Sequence, residues 1–279
     1  MESGNLSIAS RATAPPAGEG LSLERLSPSR ASDFKICPQL FKFRSIDRLP
    51  EPVTAYQARG TTAHLALQRL FDLDANERTP EMLYDLFRQA WTEVRADEEY
   101  SGLFASVDHE REWGLESLTL LANYFSVENP AEVEPMDREL DMTEDLDGIV
   151  IRGILDRIDR GADGRLVITD YKTGKAPPER YAVPAFFALK IYGLLVRRRT
   201  GETPRELRLM YLNGPTMYRL EVDDQQLDAM DRQLRALWSA IERAMSEERF
   251  PPRPGRLCDW CSFQAICPAF EDAGIAVAS

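Results

Sequence analysis

The 279-residue chain is 43% apolar and 29% charged, enough for one large domain or two small ones with a sizeable core. No run of about 18 apolar residues occurs, so no membrane span is expected, and a net charge of −12 argues against gripping nucleic acid over the whole surface. Residues 1–20 lack an apolar signal core and are rich in Ser, Ala, Pro and Gly. They read as a disordered lead-in, and without a secretion signal the expected compartment is cytoplasmic. The charge is uneven. Residues 128–147 hold nine acids and one base, whereas residues 172–208 hold nine bases and three acids. A local basic groove is compatible with the acidic total, and so are ordinary solvated helix faces.

In chain order, Ser27 and Ser29 are hydroxyl N-cap candidates, and Pro28 suits a first helical position. An amphipathic segment with Phe34, Leu40, Phe41 and Phe43 follows, broken or restarted at Pro38. "RGTTAHLALQRLFDL" reads as a helix opened by Gly60 and Thr61, and residues 80–99 and 109–126 repeat apolar residues at helical spacing. From Glu132 the pattern shifts to strands over 133–142, 149–160 and 165–172, a helix over 180–199, strands "LRLMYL" and "TMYRLEV", and a long amphipathic helix over 223–247. Helices followed by strands with one crossing helix predict an α/β core with a helical insertion near its start.

"ITDYKTGK" breaks the strand pattern. Asp170 and Lys172, two residues apart, leave the same face of what looks like a core strand. The preceding "GILDRIDRGADGRLV" supplies a partner. A three-residue turn of Ala162, Asp163 and Gly164 pairs Gly161 with Arg165, so paired residue numbers sum to 326. Asp156 then stands opposite Asp170, with Cβ atoms ~4.5–5.5 Å apart. Two carboxylates that close repel unless a cation lies between them. The pair suits a hard divalent cation such as Mg²⁺ or Mn²⁺, and Lys172 suits a growing phosphoryl charge. A four-residue turn would place the two acids on opposite faces.

These residues resemble the RecB-like exonuclease branch of the PD-(D/E)xK nuclease superfamily: G-x-x-D-R-I-D, then D-Y-K-T-G 14 residues after its first Asp. The resemblance implies a restriction-endonuclease-like α/β core, a mixed central sheet flanked by helices. It makes Asp156, Asp170 and Lys172 catalytic. It gives metal ligation to Asp156, Asp170, the backbone carbonyl of Tyr171 and His64, the last in the G-x-x-x-H of "RGTTAH". His109 matches nothing and reads as a surface helix residue. Tyr192 stands at the family's substrate-facing tyrosine, but the glutamine expected one helical turn earlier is Ala188. Lys175 and Arg180 are further substrate-binding candidates.

The four cysteines are Cys37, Cys258, Cys261 and Cys267, the last three as C-x2-C-x5-C. Disulfides are not expected in a cytoplasmic protein, and the short spacing points to metal ligation. One N-terminal and three C-terminal cysteines resemble the [4Fe-4S] staple of CRISPR-associated and AddB-type nucleases, with zinc as the lesser alternative. The expected organisation is a single nuclease domain over 21–270. Its helical part spans about 60–126, its catalytic core about 130–222 and its long helix 223–247. An iron–sulfur segment over 255–270 closes onto Cys37, and 271–279 form a tail.

The functional expectation is a divalent-metal-dependent deoxyribonuclease, an exonuclease on single strands or duplex ends in DNA repair or recombination. No Walker-type G-x-x-x-x-G-K-[ST] occurs, so any unwinding comes from a helicase or other repair subunit. The competing reading is a non-catalytic DNA-binding or scaffold subunit of a larger repair or CRISPR-type complex.

Overall fold

A computed structural model describes residues 23–270. The expected disordered lead-in (1–20) and tail (271–279) lie outside the described residues. The chain divides into two compact units: Arg25–Ser32 with Glu51–Leu237, and Asp33–Pro50 with the residues from Trp238 onward.

The larger unit is built on a five-stranded sheet in the order β1 (Pro135–Asp145), β2 (Val150–Arg160), β3 (Leu166–Lys175), β4 (Glu206–Asn213), β5 (Thr216–Glu221). All neighbours are antiparallel except β3 and β4, which are parallel. A parallel pair needs a long crossover, and here it is the helix Ala182–Thr200. The result is an α/β core with a mixed central sheet flanked by helices, as expected.

Helices α1 (Pro28–Ile36) and α2 (Pro38–Phe41) open the chain, and Pro38 restarts the helix as its position suggests. Helix α3 (Ala55–Leu70) begins earlier than its Gly-Thr pair implies. Thr54 accepts the Gln57 N–H at 3.2 Å and the Gln57 side chain accepts the Thr54 N–H at 2.9 Å, a reciprocal cap that satisfies two end groups. With α4 (Pro80–Val94) and α5 (Val107–Ala122), α3 packs Leu67, Leu70, Leu83, Phe87 and Trp113 into one core with Tyr171, Met210 and Leu212 of the sheet. The short α6 (Tyr124–Val127) joins that layer. Helix α7 (Ala182–Thr200) and α8 (Asp224–Ser246) serve the opposite face, where Gly193 lets Leu227 and Leu207 approach.

In the smaller unit Phe34, Phe41 and Phe250 pack together, with ring centroids 5.3 and 6.4 Å apart, and Phe43 meets Phe263 at 5.1 Å. The expected [4Fe-4S] segment is not found here. Cys37, Cys258, Cys261 and Cys267 are free thiols on the wall of one recess. They form no ligand group: among the described residues the one set of three or more His, Cys, Asp or Glu ligand atoms within 4.8 Å of one another is His64, Glu139 and Asp156. The thiols have other occupations. The Sγ atoms of Cys37 and Cys258 accept the backbone N–H of Arg253 and Gly255, each at 3.4 Å. Burial pushes the Cys267 thiol up, toward its neutral form. The cysteines therefore hold neither the expected cluster nor zinc in its place, and the candidate cation ligands lie on the sheet and α3.

Candidate metal centre

Two turns set the register of the site. Gly164 adopts φ +75°, and the Gly161 N–H donates to the Arg165 carbonyl at 2.8 Å. β2 and β3 then pair Arg157 with Thr169, Ile158 with Ile168, Asp159 with Val167 and Arg160 with Leu166, every pair summing to 326. The next step would place Asp156 against Asp170, but the ladder has ended and the strands part. The Tyr171 N–H, freed from strand pairing, donates instead to Asp156 Oδ2 at 2.7 Å.

On the other side of β2, the turn residues Asp147 (φ +52°) and Gly148 (φ +96°) lie between Leu146 and Ile149. This two-residue hairpin pairs Arg138 with Arg157 and Leu140 with Leu155. Glu139 falls between those pairs, in the slot opposite Asp156, with a left-handed backbone (φ +46°). A non-glycine residue there costs about 1–3 kcal/mol and needs a reason. Opposed residues share a face, so Glu139, Asp156 and Asp170 form one row across three adjacent strands. Sequence reasoning missed Glu139. The signal was available: Asp-Gly between two strand-like runs marks a two-residue hairpin, and counting outward from it reaches Glu139 opposite Asp156.

His64 arrives from α3, in the layer on the Tyr171 face, and meets the carboxylates where the strands part. Its Nδ1 lies 3.6 Å from Glu139 Oε1 and 3.5 Å from Asp156 Oδ1, and its Nε2 lies 3.1 Å from the Tyr171 carbonyl oxygen. Burial alone would lower the imidazole, but Asp156, Glu139 and Asp170 outweigh it and hold it up to about 10. Burial, and then the charge of Asp156, push the Asp170 carboxyl up to about 6, against the pull of Lys172. Lys172 Nζ stands 2.5 Å from Asp170 Oδ2. Burial opposes its charge, yet Asp170 and Asp156 raise it overall.

The structure therefore brings His64, Asp156, Asp170, Tyr171 and Lys172 together and adds Glu139. Tyr192 and Ala188 on α7 line a groove with Asp170 and Lys172. Lys175 ends β3 and Arg180 lies in the turn Glu179–Tyr181, and neither lines that groove. His109 is exposed on α5, its ring centroid 5.4 Å from that of Phe104 in an edge-to-face arrangement. One motif glycine has a steric reason: a Cβ on Gly153 would fall 2.7 Å from the Tyr192 ring and 3.1 Å from Pro28.

The donor set fits a divalent cation. An imidazole nitrogen and two carboxylate oxygens already lie within 4.8 Å of one another, and hard oxygen donors with one nitrogen suit Mg²⁺ or Mn²⁺. A third carboxylate, Asp170, stands in the same row, its buried Oδ2 answered by the Lys172 ammonium. Three acids drawn together without a resident cation are electrostatically costly, and a divalent ion relieves that cost.

A mixed sheet whose middle strands part over a row of acids, with a lysine on the same face, defines an α/β protein of restriction-endonuclease-like build. The chain belongs to the PD-(D/E)XK nuclease superfamily, whose pattern matches residues 25–268. It is 25% identical over 268 residues to the gene 69 protein of Mycobacterium phage D29, covering 88% of this chain and 97% of that one. Its fold resembles the crystal structure of a candidate exonuclease from Eubacterium rectale, with a TM-score of 0.58 and 15% identity, covering 91% of this chain and 94% of that one. The superfamily stands, while the cysteine-stapled branch expected from the sequence does not. No helix among the described residues is long and apolar enough to cross a membrane.

Proposed function

We propose that the chain is a divalent-metal-dependent deoxyribonuclease that removes nucleotides from DNA single strands or duplex ends. One observation carries this reading: Glu139, Asp156 and Asp170 share a face across three adjacent strands, with His64 and Lys172 in contact with the row. His64, Glu139, Asp156 and Asp170, with the Tyr171 carbonyl, would hold the cation. When bound, the cation supplies charge to the phosphate and lowers the pKa of water. Lys172, held protonated by Asp170 and Asp156, faces the phosphate and offsets the charge that grows on its oxygens. The Tyr171 N–H fixes the Asp156 carboxylate, so one ligand is oriented before substrate arrives. DNA is the partner this reading requires, with repair or recombination as the setting and a separate helicase chain supplying any unwinding.

The test is degradation of labelled single-stranded and blunt duplex DNA with Mn²⁺ or Mg²⁺, comparing the parent with Asp170→Ala and Lys172→Ala. Metal-dependent release of nucleotides from strand ends, lost in both variants, is the expected result. Equal activity in all three would overturn the reading. A parent that binds DNA without cutting it would instead favour the scaffold reading.

A further inference from the structure

The parting of β2 and β3 leaves more than a metal centre. The β2–β3 ladder covers only Arg157–Arg160 of β2, so the earlier half of β2 lacks a partner on that side. The segment before α1 fills part of the vacancy. Leu26 bridges Ile151 in parallel, with the Leu26 N–H donating to the Val150 carbonyl at 2.8 Å and the Arg152 N–H donating to the Leu26 carbonyl at 2.9 Å. Between this segment and the end of β3 runs an open groove that contains Asp170 and Lys172. Gly153 makes the groove possible: a Cβ there would meet Tyr192 at 2.7 Å and Pro28 at 3.1 Å, so only a bare backbone lets α7 and the α1 segment close over it.

The lining is unlike the rest of this acidic chain. Four cations, Arg25, Arg30, Arg152 and Lys172, line it with one carboxylate, Asp170, while Asp141 lies beside Arg152 and Arg25, and Ser27 and Ser29 add hydroxyls. Arg152 is bound through two nitrogens to Asp141, at 2.6 and 2.9 Å. Both members of that pair are about half exposed, at 45% and 49%, where such pairs contribute little and exchange readily for a phosphate. Opposite them stands Ala188, where the family resemblance would place a glutamine, so α7 offers the groove a methyl group there.

We propose that this groove seats the DNA backbone phosphate next to the scissile one, with Arg25 and Arg152 supplying charge and Ser27 and Ser29 supplying hydrogen bonds, in place of the contact that Ala188 cannot make. The inference rests on the nuclease reading and adds the substrate's track through the site. The α1 segment is already hydrogen-bonded to β2, so little ordering remains when the strand enters. The phosphate beside the scissile one meets cations on the α1 side, while Lys172 serves the scissile phosphate itself.

The experiment is anisotropy of a labelled single-stranded oligonucleotide with Ca²⁺ replacing the catalytic metal, using the full chain and Arg25→Gln/Arg152→Gln. The double variant should bind roughly tenfold more weakly at about 0.1 M salt, and the slope of log Kd against log salt should fall by about 1 or more. Its Mn²⁺ affinity, titrated without DNA, should equal the parent's, which shows that the site is folded. A second arm leaves the protein unchanged. Single methylphosphonate linkages walked along the strand should cost the parent most beside the scissile bond and cost the double variant nothing extra there. Wild-type affinity and salt slope in the double variant, or the same methylphosphonate profile in both proteins, would overturn the groove while leaving the nuclease reading intact. A parent that holds Mn²⁺ but neither binds nor cuts DNA would overturn both.

Discussion

β2 and β3 carry two charge clusters, one on each face, and they are built in opposite ways. On the α3 side, Arg157 is wholly buried and every nitrogen of its guanidinium is engaged. It donates to Glu128 at 2.6 and 2.8 Å, to Asp159 at 2.9 Å and to the Tyr171 hydroxyl at 2.7 Å, and it lies 5.2 Å over the Phe71 ring. Burial opposes the ionised form of Glu128, but Arg157 lowers it on balance. On the α7 side, one residue along the strand, Asp156 joins Glu139 and Asp170, and Lys172, His64 and the Tyr171 N–H answer them. Alternation puts these neighbours on opposite faces. The difference teaches how a structural cluster differs from a candidate site: the first satisfies its charges with its own side chains, and the second keeps an acidic excess that a divalent cation would offset.

The comparison breaks most sharply under alanine. Asp156→Ala should abolish DNA cleavage, by more than the ~100-fold that loss of a supporting group costs at a metal site. It should change thermal stability little, because the like-charge contact it relieves offsets the lost bonds to the Tyr171 N–H and to His64. A melting curve beside a cleavage assay measures both, and a large loss of stability would show that the row is structural. Arg157→Met should do the reverse, costing about 3–5 kcal/mol in urea unfolding because Glu128 and Asp159 stay buried without their cation. A change well below 1 kcal/mol would mean the two faces are not built differently.

Acidity offers a finer test. His64 has a folded pKa of about 10 against an ordinary 6.5. Its contribution to the metal-free protein is therefore full below about 6.5 and fades as pH rises toward 10. Asp170, raised to about 6, binds its proton more tightly folded than unfolded, so stability should fall as pH rises from about 4 to 6. Thermal melts in chelator across pH 4–10 should show both declines, and Asp170→Asn should erase the acidic one. Ligation needs a neutral imidazole, so Mn²⁺ binding near pH 7 should release about one proton and strengthen with pH. Calorimetry in buffers of different ionisation enthalpy would detect the proton, and its absence would remove His64 from the ligand set.

The smallest expected effect is Gly153→Ala. Its Cβ would crowd Tyr192 and Pro28, costing about 1–3 kcal/mol as an overpacked contact. It should weaken oligonucleotide binding more than Mn²⁺ binding, because the metal ligands lie farther along the strands.

Much of this was legible in the chain. The turns Ala-Asp-Gly and Asp-Gly carry the register of three strands, because hairpin length decides which residues oppose each other. The shared face of Asp156 and Asp170 follows from the first turn, and Glu139 opposite Asp156 from the second. The alternation of Asp170, Tyr171 and Lys172 likewise follows from strand geometry alone. The cysteines mislead for a related reason: spacing along a chain limits how near two thiols can come, but it does not bring four of them to one point.

What the tertiary structure alone decided is where pairing stops. No local signal marks the end of the β2–β3 ladder at Arg157 and Thr169, because it depends on what else competes for the edge of β2. Leu26, more than 120 residues earlier in the chain, takes that edge at Ile151, and His64 enters from the far layer at the same opening. Local chemistry determined which side chains share a face. Only long-range packing could turn that shared face into an opening between two strands.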